Sequence, residues 1–315
     1  MFEKIRIALV GVLMGAAEVV PGVSGGTIAF VMGVYERLIL SVRHMTPMLV
    51  ADLFRSGIPF VWKKVDATFM LILFGFMGLS VIVFARGITY MMQEQPVLLW
   101  AYFFGLVLAS SWIVGHQIGR FTARLGICTF LGAVFGVLVT SVVPVNLPPT
   151  PLFIFLGGAV AVCAWILPGI SGSFILLILG LYGVILEAIH SLDLVTLGAL
   201  GAGCAIGLVT FAQLLSWLFS HHREPLLSVL MGFMLGSLTK LWPWKETLSY
   251  QLGSDGRQIP LEQNPVSPQV WFELTGSDPQ IGLAIIAVLL GLVSVIALDK
   301  LAFGNSDSTS AKTGM

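Results

Sequence analysis

Two short stretches of the 315-residue chain combine residue types that suit an anion, Ser24-Gly25-Gly26-Thr27 and Ser171-Gly172-Ser173. Each follows a Pro-Gly pair (Pro21-Gly22, Pro168-Gly169) at the end of an apolar run. Proline ends a helix, and glycine permits a tight turn and the close approach of a ligand. A second helix that opens on Ser and Gly presents N–H groups and a positive dipole end beside hydroxyl donors. The same residues also suit plain N-caps and small-residue helix packing, but two matched copies favour a binding site. Gly22-Val23-Ser24-Gly25-Gly26 also fits the G-x-S-x-G pattern of a nucleophile elbow. An elbow needs a strand before the serine, and a serine present twice suits a symmetric site better than a single nucleophile.

Several charged residues stand around these stretches. Glu18 lies three residues before Pro21, well inside an apolar run, where an acid is expensive and suits a proton relay or cation site, or else an interfacial or internally bonded Glu. Glu36, Arg37 and Glu187 stand near the ends of the hairpins and are read as coupling or gating residues, or as charges that pair locally or reach the headgroup region. Arg86 and Lys240 are read as basic residues at outer helix ends, able to attract a phosphate or simply to snorkel. His44, His116, His190, His221 and His222 show no HExxH pattern, and Cys128, Cys163 and Cys204 show no CxxC spacing. Neither a metal centre nor a disulfide framework is expected, and no ATP-binding motif or cofactor signature is present.

The elements that must position these residues follow from composition. The chain is 57% hydrophobic and 10% charged, with 16 basic and 16 acidic side chains, and its mean hydropathy is +0.96. A soluble domain carries about 25% charged residues, so an all-α polytopic membrane protein is expected, and the balanced charge argues against nucleic acid. Charge-free gaps predict transmembrane helices at about 66–86, 96–115, 125–143, 194–219, 225–241 and 280–299, each suited to a ~30 Å hydrocarbon core. The runs before and after each Pro-Gly pair are too short to span comfortably. Residues 5–42 and 152–190 are therefore read as re-entrant helical hairpins. The apolar N-terminal run is expected to be retained rather than cleaved, because Glu18 and the Pro-Gly-Val-Ser-Gly-Gly run replace a signal-peptide cleavage site.

The chain also repeats itself. Shifted by 147 positions, residues 21–35 fall on 168–182 with 7 of 15 identical, and Gly105-Leu-Val-Leu-Ala-Ser110 echoes Gly232-Phe-Met-Leu-Gly-Ser237. Repeat 1 is assigned to 1–145, repeat 2 to 146–301 and a disordered tail to 302–315, with a polar insert at 43–64 and a polar outer loop at 242–279. Three crossings per repeat would insert the two copies with opposite orientations. With both termini inside, 12 basic residues lie inside and 4 outside, a positive-inside bias. Inverted-topology repeats with broken helices at matching positions mark secondary transporters, with the site where the breaks meet. An inorganic-anion transporter or channel is the alternative, and an intramembrane serine hydrolase a weaker one.

Five segments carry a resemblance: Met14-Gly-Ala-Ala-Glu-Val-Val-Pro-Gly-Val-Ser-Gly-Gly-Thr27, Gly33-Val-Tyr-Glu-Arg37, Phe103-Phe-Gly-Leu-Val-Leu-Ala-Ser110, Ile166-Leu-Pro-Gly-Ile-Ser-Gly-Ser173 and Gly236-Ser-Leu-Thr-Lys-Leu-Trp-Pro-Trp244. Across residues 5–300 the chain resembles the bacterial polyprenyl-phosphate (undecaprenyl-phosphate) translocases, a PopT-like family formerly described only as a domain of unknown function. The resemblance implies a non-enzymatic protein of the bacterial inner membrane. It would return undecaprenyl phosphate, the lipid carrier of cell-wall precursors, from the outer to the inner leaflet among the membrane lipids. With no ATP-binding motif in the chain, the drive would come from an ion gradient (H+ or Na+ as coupling ion) or from the lipid gradient. The second copy departs from the first at Gly183, which follows Tyr182 where Glu36 follows Tyr35.

Overall fold

The computed structural model describes residues 2–20, 23–142, 144–252 and 258–303. Pro21, Gly22 and the tail from 304 onward lie outside these residues. The first half contains α1 (Phe2–Glu18), α2 (Gly25–Val31), α3 (Tyr35–Arg43), α4 (Met48–Lys64), α5 (Ala67–Glu94), α6 (Pro96–His116) and α7 (Ala123–Thr140). The second contains α8 (Pro151–Ile166), α9 (Gly172–Ile178), α10 (Tyr182–Ser191), α11 (Leu194–His221), α12 (Arg223–Leu241), strands β1 (Lys245–Leu252) and β2 (Gln258–Pro265), α13 (Pro268–Thr275) and α14 (Ile281–Phe303). Five of these helices are long and apolar enough to cross a membrane, or seven if each bent pair counts as one span. The protein is a helical, multi-pass membrane protein.

The two halves share an order of parts. Helices α5 and α11 are both 28 residues long, and α2 and α9 are both 7 residues long. Helix α1 packs on α5 as α8 packs on α11, and α6 packs on α14 as α7 packs on α12. Glycines let these pairs approach closely. A Cβ on Gly232 would strike the Thr129 carbonyl of α7, and one on Gly105 would strike the Val288 carbonyl of α14. Lipid tails supply no hydrophobic drive between helices, so contacts of small residues and close backbones hold them together. Helix α6 is largely buried and packs on α12, whereas α5, α7, α11 and α14 are mostly exposed toward the surroundings.

Each hairpin has one bend more than its sequence suggests. The run 27–42 reads as one apolar arm, yet α2 and α3 meet at 114°, and α9 and α10 meet at 107°. Gly33 (φ 67) and Gly180 (φ 71) cause the bends. Gly33 N–H bonds Phe30 O at 3.0 Å and Val34 N–H bonds Ala29 O at 3.0 Å, and Gly180 and Leu181 repeat the pattern on Leu177 and Leu176. This is the Schellman motif, which needs a left-handed residue just past the helix end.

Three further expectations change. Helix α5 continues to Glu94, so Arg86 lies two turns inside the helix rather than at its end. The insert 43–64 is not simply polar: it carries α4, which buries no residue and exposes Phe54, Ile58, Phe60 and Trp62. The segment after α12 is not simply a polar loop: it carries β1 and β2, which pair antiparallel, so the fold is helical but not purely α.

Candidate functional site

The ends of both arms show that α1 and α2 run as a hairpin. At the tip, Gly25 N–H donates to Glu18 Oε1 at 2.6 Å. At the base, Arg6 Nη2 donates to the Met32 carbonyl at 2.6 Å. The second hairpin closes in the same sense. Gly172 abuts Ala161 and Trp165 at its tip, while Gly157 abuts Leu181 at its base.

The two tips touch. Ser24 Oγ donates to the Trp165 carbonyl at 3.0 Å, and Gly169 N–H donates to Thr27 Oγ1 at 3.0 Å. Gly26 faces the carbonyl oxygens of Trp165 and Ile166 so closely that a Cβ there would lie 3.0 and 2.7 Å from them. Ser24, Thr27 and Ser171 are 0% exposed. Gly169, at φ +103, is held against Met234 and Ser237 of α12. Irregular backbone deep in a membrane protein must be buried or line a wet cavity, and each tip supplies partners for the other.

The tips are nevertheless unequal. In the first, the expected free N–H groups are already engaged: Glu18 takes Gly25, and Ser24 Oγ accepts from Gly26 at 3.0 Å. In the second, Ser171 makes no cap bond, and its hydroxyl pairs with that of Ser173 at 2.7 Å. Gly172 and Ser173 N–H have no acceptor among the described residues. The 147-residue shift that matches Gly25 to Gly172 matches Glu18 to Trp165. An acidic side chain therefore fills the first tip, and an indole stands at the equivalent place in the second.

Lys240 lies near the second tip, its Nζ 4.8 Å from the ring centre of Phe174, the residue after Ser173. Sequence reasoning missed Lys245. Its Nζ stands 3.4 Å from the ring centre of Trp100 and donates to the Lys240 carbonyl at 2.9 Å. Burial and the neighbouring Lys240 ammonium push the Lys245 ammonium well below the usual lysine range. The only sequence hint is a lysine at each end of the run from Lys240 to Lys245, which encloses Trp242 and Trp244.

The other charged candidates lie away from the tips. Arg37 bridges Glu3 at 2.7 Å and Asp66 at 2.6 Å, tying the start of α3 to the starts of α1 and α5. Glu36 pairs with Arg223 at 2.8 Å, both half-exposed. Glu187 and Arg86 are exposed and form no ion pair among the described residues. Among the described residues Ser24 Oγ bonds backbone groups and no imidazole, so none of them supplies the base a nucleophile needs. Among the described residues no cluster of His, Cys, Asp or Glu could hold a metal ion. An apolar groove of about 810 Å³ runs between α6, α12 and α14, lined by Leu108, Trp112, Phe121, Leu235, Leu292 and Ile296 among others.

The fold and site define a multi-pass membrane protein in which two broken helices meet at their breaks. Comparison with known proteins gives the family. The undecaprenyl phosphate translocase-like family profile matches residues 14–259, and the chain belongs to that family. It is 41% identical over 294 residues to a polyprenyl-phosphate transporter of Vibrio cholerae, covering 93% of this chain and 96% of that one. It is 27% identical over 263 residues to a polyprenyl-phosphate transporter of Staphylococcus aureus, covering 77% and 87%. Both relatives are named as transporters, not enzymes, which sets the hydrolase reading aside. No solved structure matches the chain.

Proposed function

We propose that this chain is a secondary transporter that carries undecaprenyl phosphate or a related polyprenyl phosphate from the outer to the inner leaflet of the bacterial cytoplasmic membrane. Both termini are cytoplasmic and the two halves are inserted with opposite orientations. The observation that carries the reading is the junction of the two tips, Gly169 N–H on Thr27 Oγ1 and Ser24 Oγ on the Trp165 carbonyl. Two re-entrant hairpins that meet at buried polar turns give an anionic group a protein path through the hydrocarbon. A bare phosphate in that layer costs tens of kcal/mol in an idealised estimate (~20 per ion).

The phosphate is bound at the second tip, by the hydroxyls of Ser171 and Ser173, the Gly172 backbone and Lys240. The first tip, Ser24–Thr27 in sequence, holds the Glu18 carboxylate where the second would hold the headgroup. Glu18 then acts as a tethered anion; protonation removes its charge and weakens its hold on Gly25 N–H, which lets the phosphate pass on, with H+ as the coupling ion. The prenyl chain stays lateral, in lipid and along the groove between α6, α12 and α14. Glu36, Arg37 and Glu187 serve the ends of the hairpins, where they fix or release the arms, and Arg86 contributes only to the field at the surface.

The test is a flip assay in proteoliposomes with labelled lipid phosphate. Ser171→Ala combined with Ser173→Ala slows flipping at least tenfold while the protein stays folded; unchanged flipping removes the tips from the mechanism. Chloride or fluoride flux without lipid movement would favour the inorganic-anion alternative.

A further inference from the structure

We propose that Lys240 and Lys245 form a two-ammonium docking site beside the second tip that prefers a dianionic phosphomonoester to the monoanionic phosphodiester of an ordinary phospholipid. The proposal rests on the transport reading above and adds what the site selects.

Lys240 lies in the last turn of α12, which ends at Leu241, and Lys245 begins β1. Lys245 Nζ is fixed twice, on the face of Trp100 and on the Lys240 carbonyl. The Lys240 ammonium lies over Phe174, one residue past Ser173. The segment between them is rigid: Trp242 Nε1 donates to the Val266 carbonyl at 2.8 Å and Trp244 Nε1 to the Pro279 carbonyl at 2.9 Å. The two indoles also pack edge to face, their centres 5.6 Å apart. These bonds pin the backbone between the two lysines, and the Lys245 ammonium is itself held on the Lys240 carbonyl.

Neither lysine has a carboxylate partner among the described residues, whose ion pairs involve Arg37, Lys64 and Arg223. Two ammonium groups near each other and largely away from water oppose each other and lose hydration, which pushes Lys245 toward its neutral form unless an anion holds both charged. Aromatic faces attract each cation but do nothing to relieve their mutual repulsion. An anion between them does. A phosphomonoester carries about 1.5–2 negative charges near neutral pH, which matches two ammonium groups, whereas a phosphodiester brings one. Phospholipids surround the protein in large excess, so a charge count that disfavours them provides selection by mismatch.

The experiment uses the full-length protein in detergent with farnesyl phosphate, inorganic phosphate and phosphatidylglycerol as probes, and reads binding without transport. The wild-type protein binds farnesyl phosphate about tenfold or more tighter than phosphatidylglycerol. Lys245→Met and Lys240→Met each erase that preference, and Lys245→Arg restores it. A Lys245→Met protein that keeps the wild-type melting temperature and the wild-type preference overturns the proposal. Inorganic phosphate that competes as well as farnesyl phosphate supports the dianion site and assigns it to the free ion. Intact flipping and an intact preference in Lys245→Met sink this proposal and leave the transport reading standing. A wild-type protein that flips no lipid sinks the transport reading, whatever the binding preference.

Discussion

The backbone N–H of Gly169 donates to Thr27 Oγ1 at 3.0 Å in a buried setting, so the turn of one hairpin is completed by a side chain of the other. Thr27→Val keeps the shape and removes the acceptor, leaving a buried donor unpaired at a cost of about 1–3 kcal/mol. Thermal unfolding in detergent should show a lowered midpoint for Thr27→Val and a near-native one for Thr27→Ser.

Gly26 offers a steric counterpart. An added methyl would lie 2.7 Å from the Ile166 carbonyl oxygen, so Gly26→Ala must push the tips apart. Overpacking of this kind costs roughly 1–3 kcal/mol. Gly75→Ala, where nothing lies within 4 Å, is the control and should match the wild type in both melting and flipping.

The sequence made parts of this architecture legible and hid others. Long charge-free gaps hold α5, α6, α11 and α14 because charge is the residue property a bilayer punishes most. Arg86 was a poor terminus marker, since a long side chain tolerates a position inside a helix by snorkelling. The bends at Gly33 and Gly180 were hidden inside apolar runs, although both glycines are identical between the copies; only the positive φ reveals the stop. At the site, the Gly/Ser composition of the tips was readable. That Glu18 reaches Gly25, or that Lys245 turns inward onto Trp100, depends on tertiary placement that spacing does not encode.

Glu18 can be separated into structural and coupling roles. Glu18→Gln keeps an oxygen able to accept from Gly25 N–H, whereas Glu18→Ala leaves that donor without its partner. Glu18→Gln should therefore stay folded and move lipid, but lose the acceleration by an imposed pH gradient. Glu18→Ala should also melt earlier, by about 1–3 kcal/mol of lost stability. A Glu18→Gln protein with the full pH-gradient response would remove Glu18 from coupling.

Tyr35 gives a prediction of opposite sign. Its hydroxyl is buried with no hydrogen-bond partner among the described residues, while its ring packs on Phe30 and Phe219. Tyr35→Phe removes the unpaired group and keeps the ring contacts, so stability should hold or rise by about 1 kcal/mol. A marked drop in the melting midpoint would show that the hydroxyl has a partner in the membrane.

Helix α4 occurs in the first half and the β1–β2 ribbon in the second, and among the described residues neither has a counterpart in the other half. With Phe54 and Trp62 displayed on one and the Trp242–Trp244 anchor rooting the other, each ornament weights its own half. On the transport reading proposed above, matched halves in alternating access would rest equally on either side. These unlike attachments make the two resting states unequal in energy.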